Sequence, residues 1–296
     1  MATSDWLRLL LLSLLWGCAF FFIEIALEDS GPLTIVLVRV GGAGLALLIY
    51  CLARGIPIGL EPRTFGQIAM LAVVACALPF TLIATGQIWI TSGLTAILIA
   101  STPFFTVLLG HLWGRMEPAT PTKIGGVLIG MLGVAILMGS DVLTGLSGTL
   151  PGQLAVLAAA FSYAIGALYG RRFRDIRPSL ISTWMLIFAA LMLAPLAFLF
   201  ETPFDPLPDV PALAALAALA LLSTALAFLL YFRILASAGA TNAMLVTFVQ
   251  PPVAILLGVL FLKEAFLPHH FAGMVLIFVG LALVDGRVVR LVMSRS

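Results

Sequence analysis

Charged residues are scarce in this sequence. Asp, Glu, Lys and Arg make up 9% of the 296 positions, whereas a soluble domain has about 25%. Hydrophobic residues make up 62%, and the mean hydropathy is +1.19. The low charge excludes a water-soluble globular protein. The net charge of +2 is too small to indicate a nucleic-acid partner.

Cysteine is also rare. The three cysteines, Cys18, Cys51 and Cys76, all lie in apolar stretches. Their odd number and their setting exclude a secreted disulfide framework and favour small packing residues.

The motifs of enzymes and pumps are missing as well. The histidines His111, His269 and His270 do not have metal-ligand spacing, so we expect no metal site and no cofactor. The sequence has no Walker A motif, no His-Glu-x-x-His and no Ser paired with a Lys or His base. A membrane-embedded enzyme and a nucleotide-driven pump are therefore disfavoured.

Long apolar runs fill most of the chain. From Thr64 to Gly114 there is no charged residue, which is too long for one span of about 20 residues and suits two. Cutting at charges, prolines and glycine-rich turns predicts ten transmembrane helices over residues 6–27, 32–53, 64–85, 91–113, 122–139, 151–171, 179–200, 211–235, 240–262 and 268–286. The first run is too long for a signal peptide and lacks its cleavage site, so we interpret it as a helix.

Basic residues predict the orientation of these helices. Short cytoplasmic loops collect Lys and Arg. With the N-terminus inside, all of the 15 Lys and Arg residues except Arg39 and Lys263 fall on the cytoplasmic side. We therefore expect a multi-pass protein of a bacterial inner membrane with both termini in the cytoplasm.

The chain also repeats itself. A shift of 148 places Pro103 on Pro251, Gly110 on Gly258, Arg115 on Lys263 and Gly125 on Gly273. An odd number of helices in each half means that the second half starts from the opposite face, as is common in secondary transporters. The sequence predicts an all-α membrane protein in which two inverted five-helix repeats, residues 1–140 and 151–290, surround a central cavity.

Several segments carry a family resemblance. Residues 225–264, ALAFLLYFRILASAGATNAMLVTFVQPPVAILLGVLFLKE, resemble the signature region of the EamA branch of the drug/metabolite transporter superfamily. Similar features are the run from Thr91 to Pro103, the LLWG at Leu14 to Gly17, and Pro32 followed by Arg39. Within this family the sequence is most similar to the YddG-type exporters of aromatic and other amino acids.

The resemblance implies a basket of ten helices that works by alternating access. The first, third, fourth, sixth, eighth and ninth helices would line its cavity. Two positions depart from the family pattern: Glu24 stands where many relatives have Lys, and Gln250 stands where many have an acidic residue. Both departures change the charged or polar groups that would meet the substrate.

Aromatic residues are the first candidates for the cavity. Trp16, Phe20 and Glu24 are spaced four apart and share one face of the first helix. Such a stripe could bind an apolar or aromatic solute, and the alternative is ordinary packing or lipid contact. The further aromatic candidates are Phe80, Tyr163 and Trp184, of which Trp184 could equally belong to the interfacial belt.

Glu24 and Arg39 are the acidic and basic residues that lie well inside predicted spans. Charges in a membrane are functional candidates because leaving them unpaired is costly. We expect them to pair with each other in a structural, gating or coupling role, with proton coupling by Glu24 as the alternative.

Prolines mark the third set of candidates. Pro79, Pro103 and Pro251 would each interrupt a helix and free a carbonyl. The polar candidates are Ser101, Thr247 and Gln250, whose alternative role is local capping.

Together these features predict a carrier. We expect a non-enzymatic secondary transporter that exports small metabolites, aromatic, apolar or other amino acids, through a central cavity. A passive channel or a non-catalytic scaffold is the alternative. The expected partners are a small-molecule substrate and the lipid bilayer, with a monomer as one option for the assembly.

Overall fold

The computed structural model describes residues 3–112, 120–138, 148–173, 175–238 and 246–285. Over these residues the chain is helical, with no strand. The helices are α1 (Thr3–Ala26), α2 (Pro32–Ala53), α3 (Pro62–Ala72), α4 (Leu78–Gly86), α5 (Ser92–Ile99), α6 (Thr102–Leu112), α7 (Pro121–Met138), α8 (Leu150–Gly170), α9 (Pro178–Phe200), α10 (Val210–Ala220), α11 (Ala227–Ala238), α12 (Val246–Phe261) and α13 (Pro268–Asp285).

Prolines set where many of these helices begin. Pro32, Pro62, Pro121, Pro178 and Pro268 each stand at the first position of a helix. The fixed φ of proline suits that position, where its missing N–H costs nothing. The predicted segment 32–53 therefore coincides with α2, and the predicted segment 179–200 differs from α9 by one residue.

Seven helical stretches in the described residues are long and apolar enough to cross a membrane: Thr3–Ala26, Pro32–Ala53, Pro62–Gly86, Ser92–Leu112, Leu150–Phe173, Pro178–Phe200 and Val210–Tyr231. Three apolar helices are shorter: Pro121–Ile136, Val249–Phe261 and Pro268–Val284. The protein is thus an all-α, multi-pass molecule, and the count of ten spans stays a prediction.

Two wide turns interrupt long helices at matching places. Residues Val73–Ala77 join α3 to α4 as a π-helical turn, and residues Leu221–Leu226 join α10 to α11 in the same way. The two turns begin 148 positions apart, which is the shift of the sequence repeat. A π turn leaves carbonyls that the helix itself does not bind. Hydroxyls bind them here: Ser162 donates to Val74 O at 2.8 Å, and Thr224 donates to Leu219 O at 2.8 Å.

Helix packing repeats with the same shift. α1 packs against α12, and its counterpart α8 packs against α5 and α6. α4 packs against α8, and its counterpart α11 packs against α1. α2 packs against its own counterpart α9, and α7 packs against its own counterpart α13. We call residues 3–138 the first unit and residues 150–285 the second unit. Every contact in this set crosses from one unit to the other.

Glycines allow α7 and α13 to approach closely. A Cβ on Gly280 would come within 2.6 Å of Gly126 O and 2.8 Å of Gly130 Cα. Gly126 and Gly130, spaced four apart, thus allow a close helix contact. Exposed apolar side chains such as Leu45, Ile49 and Leu199 lie on helices and suit contact with lipid.

Candidate functional site

A buried arginine on α2 contacts residues of both units. Arg39 on α2 is 6% exposed, and its Nε donates to Thr224 Oγ1 at 3.0 Å. Its guanidinium carbon lies 3.8 Å from the centre of the Phe80 ring, a cation–π contact. Phe80 follows the wide turn of the first unit, and Thr224 lies within the wide turn of the second. Arg39 therefore connects the two turns.

Two aromatic groups lie at equivalent places in the two units. Phe80 on α4 packs edge-on against Tyr163 on α8, with ring centres 6.2 Å apart. Phe228, which the shift of 148 places on Phe80, packs edge-on against Trp16 on α1 at 6.4 Å. Tyr231 extends the second group, at 5.5 Å from Trp16. Each group joins the first helix of one unit, α1 or α8, to the helix that follows the wide turn of the other unit, α11 or α4.

Phe20 lies in the apolar core to which Phe80 belongs and against which Phe228 packs. It is 6% exposed, and Tyr163 packs against the same core. We call Arg39, Phe20, Phe80, Tyr163, Trp16 and Phe228 the central cluster. In this conformation Phe20 contacts other side chains, so its place in an open cavity stays a prediction.

The predicted pairing of Glu24 with Arg39 is wrong. Glu24 accepts a hydrogen bond from Gln87 Nε2 at 2.9 Å, and the same Nε2 donates to Phe20 O at 2.9 Å. Arg39 instead points towards Thr224 of the second unit. The spacing along the chain sets the level of each side chain but not the rotation of its helix, so two charges at similar levels can face different neighbours.

The break at Pro103 matches the sequence prediction in position. Helix α5 ends at Ile99 and α6 begins at Thr102. Ser101 is fully buried, and its hydroxyl donates to Leu98 O at 2.6 Å, while Thr102 donates to Ile99 O at 2.7 Å. Ser101 therefore caps its own helix here, which is the alternative role that the sequence left open.

The other two prolines behave differently. Pro79 lies in the first turn of α4, directly after the wide turn. Pro251 lies inside α12, which continues through it. Near it, Gln250 is partly buried, and its carbonyl lies 3.0 Å from where a Cβ on Gly17 would stand, at the level of Trp16. The side chain of Thr247 lies outside the described part of the structure.

Trp184 packs against the same apolar core, but its hydrogen bond and ring contacts lie near the start of α9. Its indole Nε1 donates to Ile58 O at 2.9 Å, in the connection before α3. Its ring packs edge-on against Phe65 at 4.8 Å and tilted against Phe188 at 5.8 Å. Tryptophan near a helix end with its N–H bound to loop backbone is typical of an interfacial anchor.

Two carboxylates cap the N-termini of helices in the first unit. Glu201, after α9, accepts from the backbone N–H groups of Leu33 and Thr34 at 2.9 and 2.8 Å. Glu264, after α12, accepts from Ser92 and Gly93 at 2.8 and 3.2 Å. Each carboxylate caps the N-terminus of a helix in the first unit, where the helix dipole favours negative charge.

A cavity of about 320 Å³ lies beside Glu201. Its lining includes Asp29, Thr34, Glu201, Thr202 and Asp205. It lies among loops and helix ends, so it is an acidic recess at the surface and does not include the central cluster.

Sequence reasoning missed four residues of the site: Gln87, Thr224, Phe228 and Tyr231. Only Phe228 carried a usable signal, because the shift of 148 places it on Phe80. Thr224 and Gln87 are polar residues whose importance depends on which helix they face.

In the described ranges there is no group of three or more His, Cys, Asp or Glu residues that could hold a metal ion. The central cluster combines aromatic walls with one cation and a few hydroxyls, as small-molecule sites do.

Comparison with known proteins gives a family match over both units. The model of the EamA-like transporter family matches residues 6–139 and 150–285. A protein of known crystal structure superposes with a TM-score of 0.70 at 19% identity, covering 96% of this chain and 98% of the other. That likeness concerns the fold.

Three relatives are informative. The "Uncharacterized transporter YoaV" of Bacillus subtilis is 25% identical over 93% of this chain and 94% of its own length. The "Uncharacterized inner membrane transporter YedA" of Escherichia coli K12 is 27% identical over 83% and 79%. A "Probable amino-acid metabolite efflux pump" of the same strain is 25% identical over 65% and 62%.

Proposed function

Since the chain belongs to the EamA-like transporter family, whose members are membrane transporters of small molecules and not enzymes, we propose that it exports amino acids, chiefly aromatic and apolar ones, by alternating access. Ten helices in two inverted units form the carrier, with both termini in the cytoplasm of a bacterial cell. The observation that carries the proposal is the central cluster, which both units build together.

Contacts between helix ends support the inversion. Gln87, which follows α4, contacts Glu24 near the end of α1. Gly86 lies against Gly152 at the start of α8. A Cβ added to Gly152 would come within 2.7 Å of Gly86 O. The end of the first helix of one unit and the start of the first helix of the other thus share a face. Two units that run in opposite directions have this arrangement.

Contacts at the other face agree with the proposed topology. Asp5 at the start of α1 accepts from Ser237 near the end of α11 at 2.8 Å. Trp184 near the start of α9 reaches Ile58 before α3. Arg8, Arg63, Arg177 and Arg233 lie near these ends, as expected for a cytoplasmic face.

The substrate class rests on two supports. Phe80, Tyr163, Trp16 and Phe228 offer ring faces and edges to an apolar or aromatic side chain. One relative is named as an efflux pump for amino-acid metabolites, which also supports the outward direction.

Exchange measurements test the proposal. Purified protein in liposomes should take up labelled phenylalanine or leucine with saturation, and unlabelled amino acid trapped inside should accelerate that uptake. A passive channel, the alternative function, would give flux that rises in proportion to concentration and no acceleration. Absence of protein-dependent uptake for every amino acid would reject the substrate class.

Labelling tests the topology independently. A cysteine in place of Asp29 or Asp205 should react in intact cells with a reagent that does not cross membranes. A cysteine in place of Ile58 should react only after the cells are opened. Labelling of the cysteine at position 58 in intact cells would contradict the inverted arrangement, whether or not the cysteines at positions 29 and 205 also react.

A further inference from the structure

We propose that Arg39 binds the carboxylate of the transported solute, between Phe80 and Tyr163. This inference rests on the proposed transport function and names the group of the solute that the site recognises.

The charge of Arg39 has no acidic partner among the described residues. Its contacts there are the hydrogen bond to Thr224 and the ring of Phe80. Glu24, the acidic residue well inside a predicted span, binds Gln87 instead. A buried guanidinium without a counter-charge is costly in a membrane. A solute that brings the missing negative charge would remove that cost.

The guanidinium also has donors to spare. It carries five N–H groups in a planar fork, and the Nε group alone donates to a residue in the described part of the chain. Its two Nη groups can bind a carboxylate through two parallel hydrogen bonds. Thr224 fixes the orientation of the guanidinium, because its Oγ1 both accepts from Arg39 and donates to Leu219 O.

The surroundings suit one carboxylate group of a small solute. Arg39 is the one Lys or Arg well inside a predicted span, so a single carboxylate matches its charge, whereas a phosphate of about −1.5 to −2 would exceed it. Ring edges and faces of Phe80 and Tyr163 lie next to the cation and suit an apolar group attached to the carboxylate.

The hydroxyls near this position add unused polar capacity. Ser223 and Thr81 have buried hydroxyl oxygens without a hydrogen-bond partner among the described residues. They adjoin Thr224 and Phe80 in sequence, in the two segments that hold Arg39. A site that opens between the units has these groups available for a polar solute.

A matched pair of probes tests the carboxylate directly. The melting temperature of the purified protein in detergent is measured with each proteinogenic amino acid. Every amino acid that raises the melting temperature is then compared with its amide. The amide keeps the side chain and the amino group but lacks the negative charge. Wild-type protein should be stabilised by the acid at concentrations about 10- to 100-fold lower than by the amide, because a hydrogen bond to a charged group is worth about that factor.

Variants assign this preference to Arg39. Arg39→Gln should respond equally to acid and amide, and Arg39→Lys, which keeps the charge, should retain part of the preference. Arg54→Gln is the matched control, since it removes the same charge from the exposed end of the same helix, and should behave like the wild type. If Arg39→Gln does not fold, Thr224→Val keeps the charge and should reduce the preference about 3- to 10-fold.

Three results would overturn the proposal. The first is that no amino acid stabilises the wild type, and the second is that each amide stabilises it as well as the matching acid does. The third is that either variant, Arg39→Gln or Thr224→Val, keeps the full preference for the acid. Failure of the transport function is distinguishable from these. Acid-selective stabilisation that depends on Arg39, together with no exchange in liposomes, would leave the anion site in place and remove the carrier.

Discussion

Thr34 gives two hydrogen bonds to one oxygen of Glu201. Its backbone N–H and its hydroxyl reach Glu201 Oε2 at 2.8 and 2.7 Å. The carboxylate comes from the end of α9 and the donors from the start of α2, so this contact connects the two units at one face. Any motion that separates α2 from α9 at this face has to break it.

Replacing Glu201 by Ala should destabilise the protein. The N-terminus of α2 would lose its cap, and charged hydrogen bonds of this kind contribute about 1.5–3 kcal/mol. The free energy of unfolding in mixed detergent micelles measures the loss. Asp205→Ala, in the lining of the same cavity but without a bond to α2, is the control and should stay within about 0.5 kcal/mol of the wild type. Equal stability of the two variants would contradict the capping role.

The contact between α7 and α13 should not tolerate a methyl group. Gly280→Ala would place a Cβ against the backbone of Gly126 and Gly130, which cannot rotate away. We expect a loss of about 1–3 kcal/mol and a lower melting temperature. Gly125→Ala is the matched control because nothing lies within 4 Å of its Cβ position, and it should be neutral or slightly stabilising. A neutral Gly280→Ala would show that the helices can separate at no cost.

A double-mutant cycle tests the partners of Glu24. Glu24→Ala and Gln87→Ala should be coupled by about 0.5–3 kcal/mol in unfolding free energy, because each removes the other's partner. Glu24→Ala and Arg39→Ala should add to within about 0.5 kcal/mol. Strong coupling of the second pair, with none in the first, would restore the ion pair that the sequence suggested.

Trp16 should matter for transport more than for folding. Trp16→Ala removes the ring that packs on Phe228 and Tyr231. An aromatic contact with the solute worth about 1.4 kcal/mol makes exchange about tenfold less efficient. Trp6→Ala, on the same helix with Trp6 47% exposed, should exchange at the wild-type rate. Unchanged exchange by folded Trp16→Ala protein would remove Trp16 from the solute path.

Helix ends were predictable because residue types mark them. Prolines at Pro32, Pro178 and Pro268 start helices in the structure where the sequence suggested. The wide turns were not predictable. Val73–Ala77 and Leu221–Leu226 consist of small and apolar residues that an ordinary helix accepts equally well.

The site was predictable in part. Phe20 and Phe80 share one apolar core with Tyr163 packed against it, and Trp16 contacts Phe228 beside that core, since deep aromatic residues on core-facing helices tend to meet. That these residues line a solute cavity stays a prediction. Partners of polar residues were not predictable, because they depend on helix rotation. Thr224 faces Arg39 and Gln87 faces Glu24 only after the helices pack.

The wide turn before Phe80 sets the direction in which that ring points. A π turn amounts to one residue inserted into an α-helix, and one residue corresponds to about 100° of rotation about the helix axis. Shortening Val73–Ala77 by one residue would turn Phe80 away from Arg39 while leaving Phe65, upstream, on Trp184. The number of residues in this turn therefore controls the rotation of α4 about its axis, and with it the neighbours that the side chains of α4 contact.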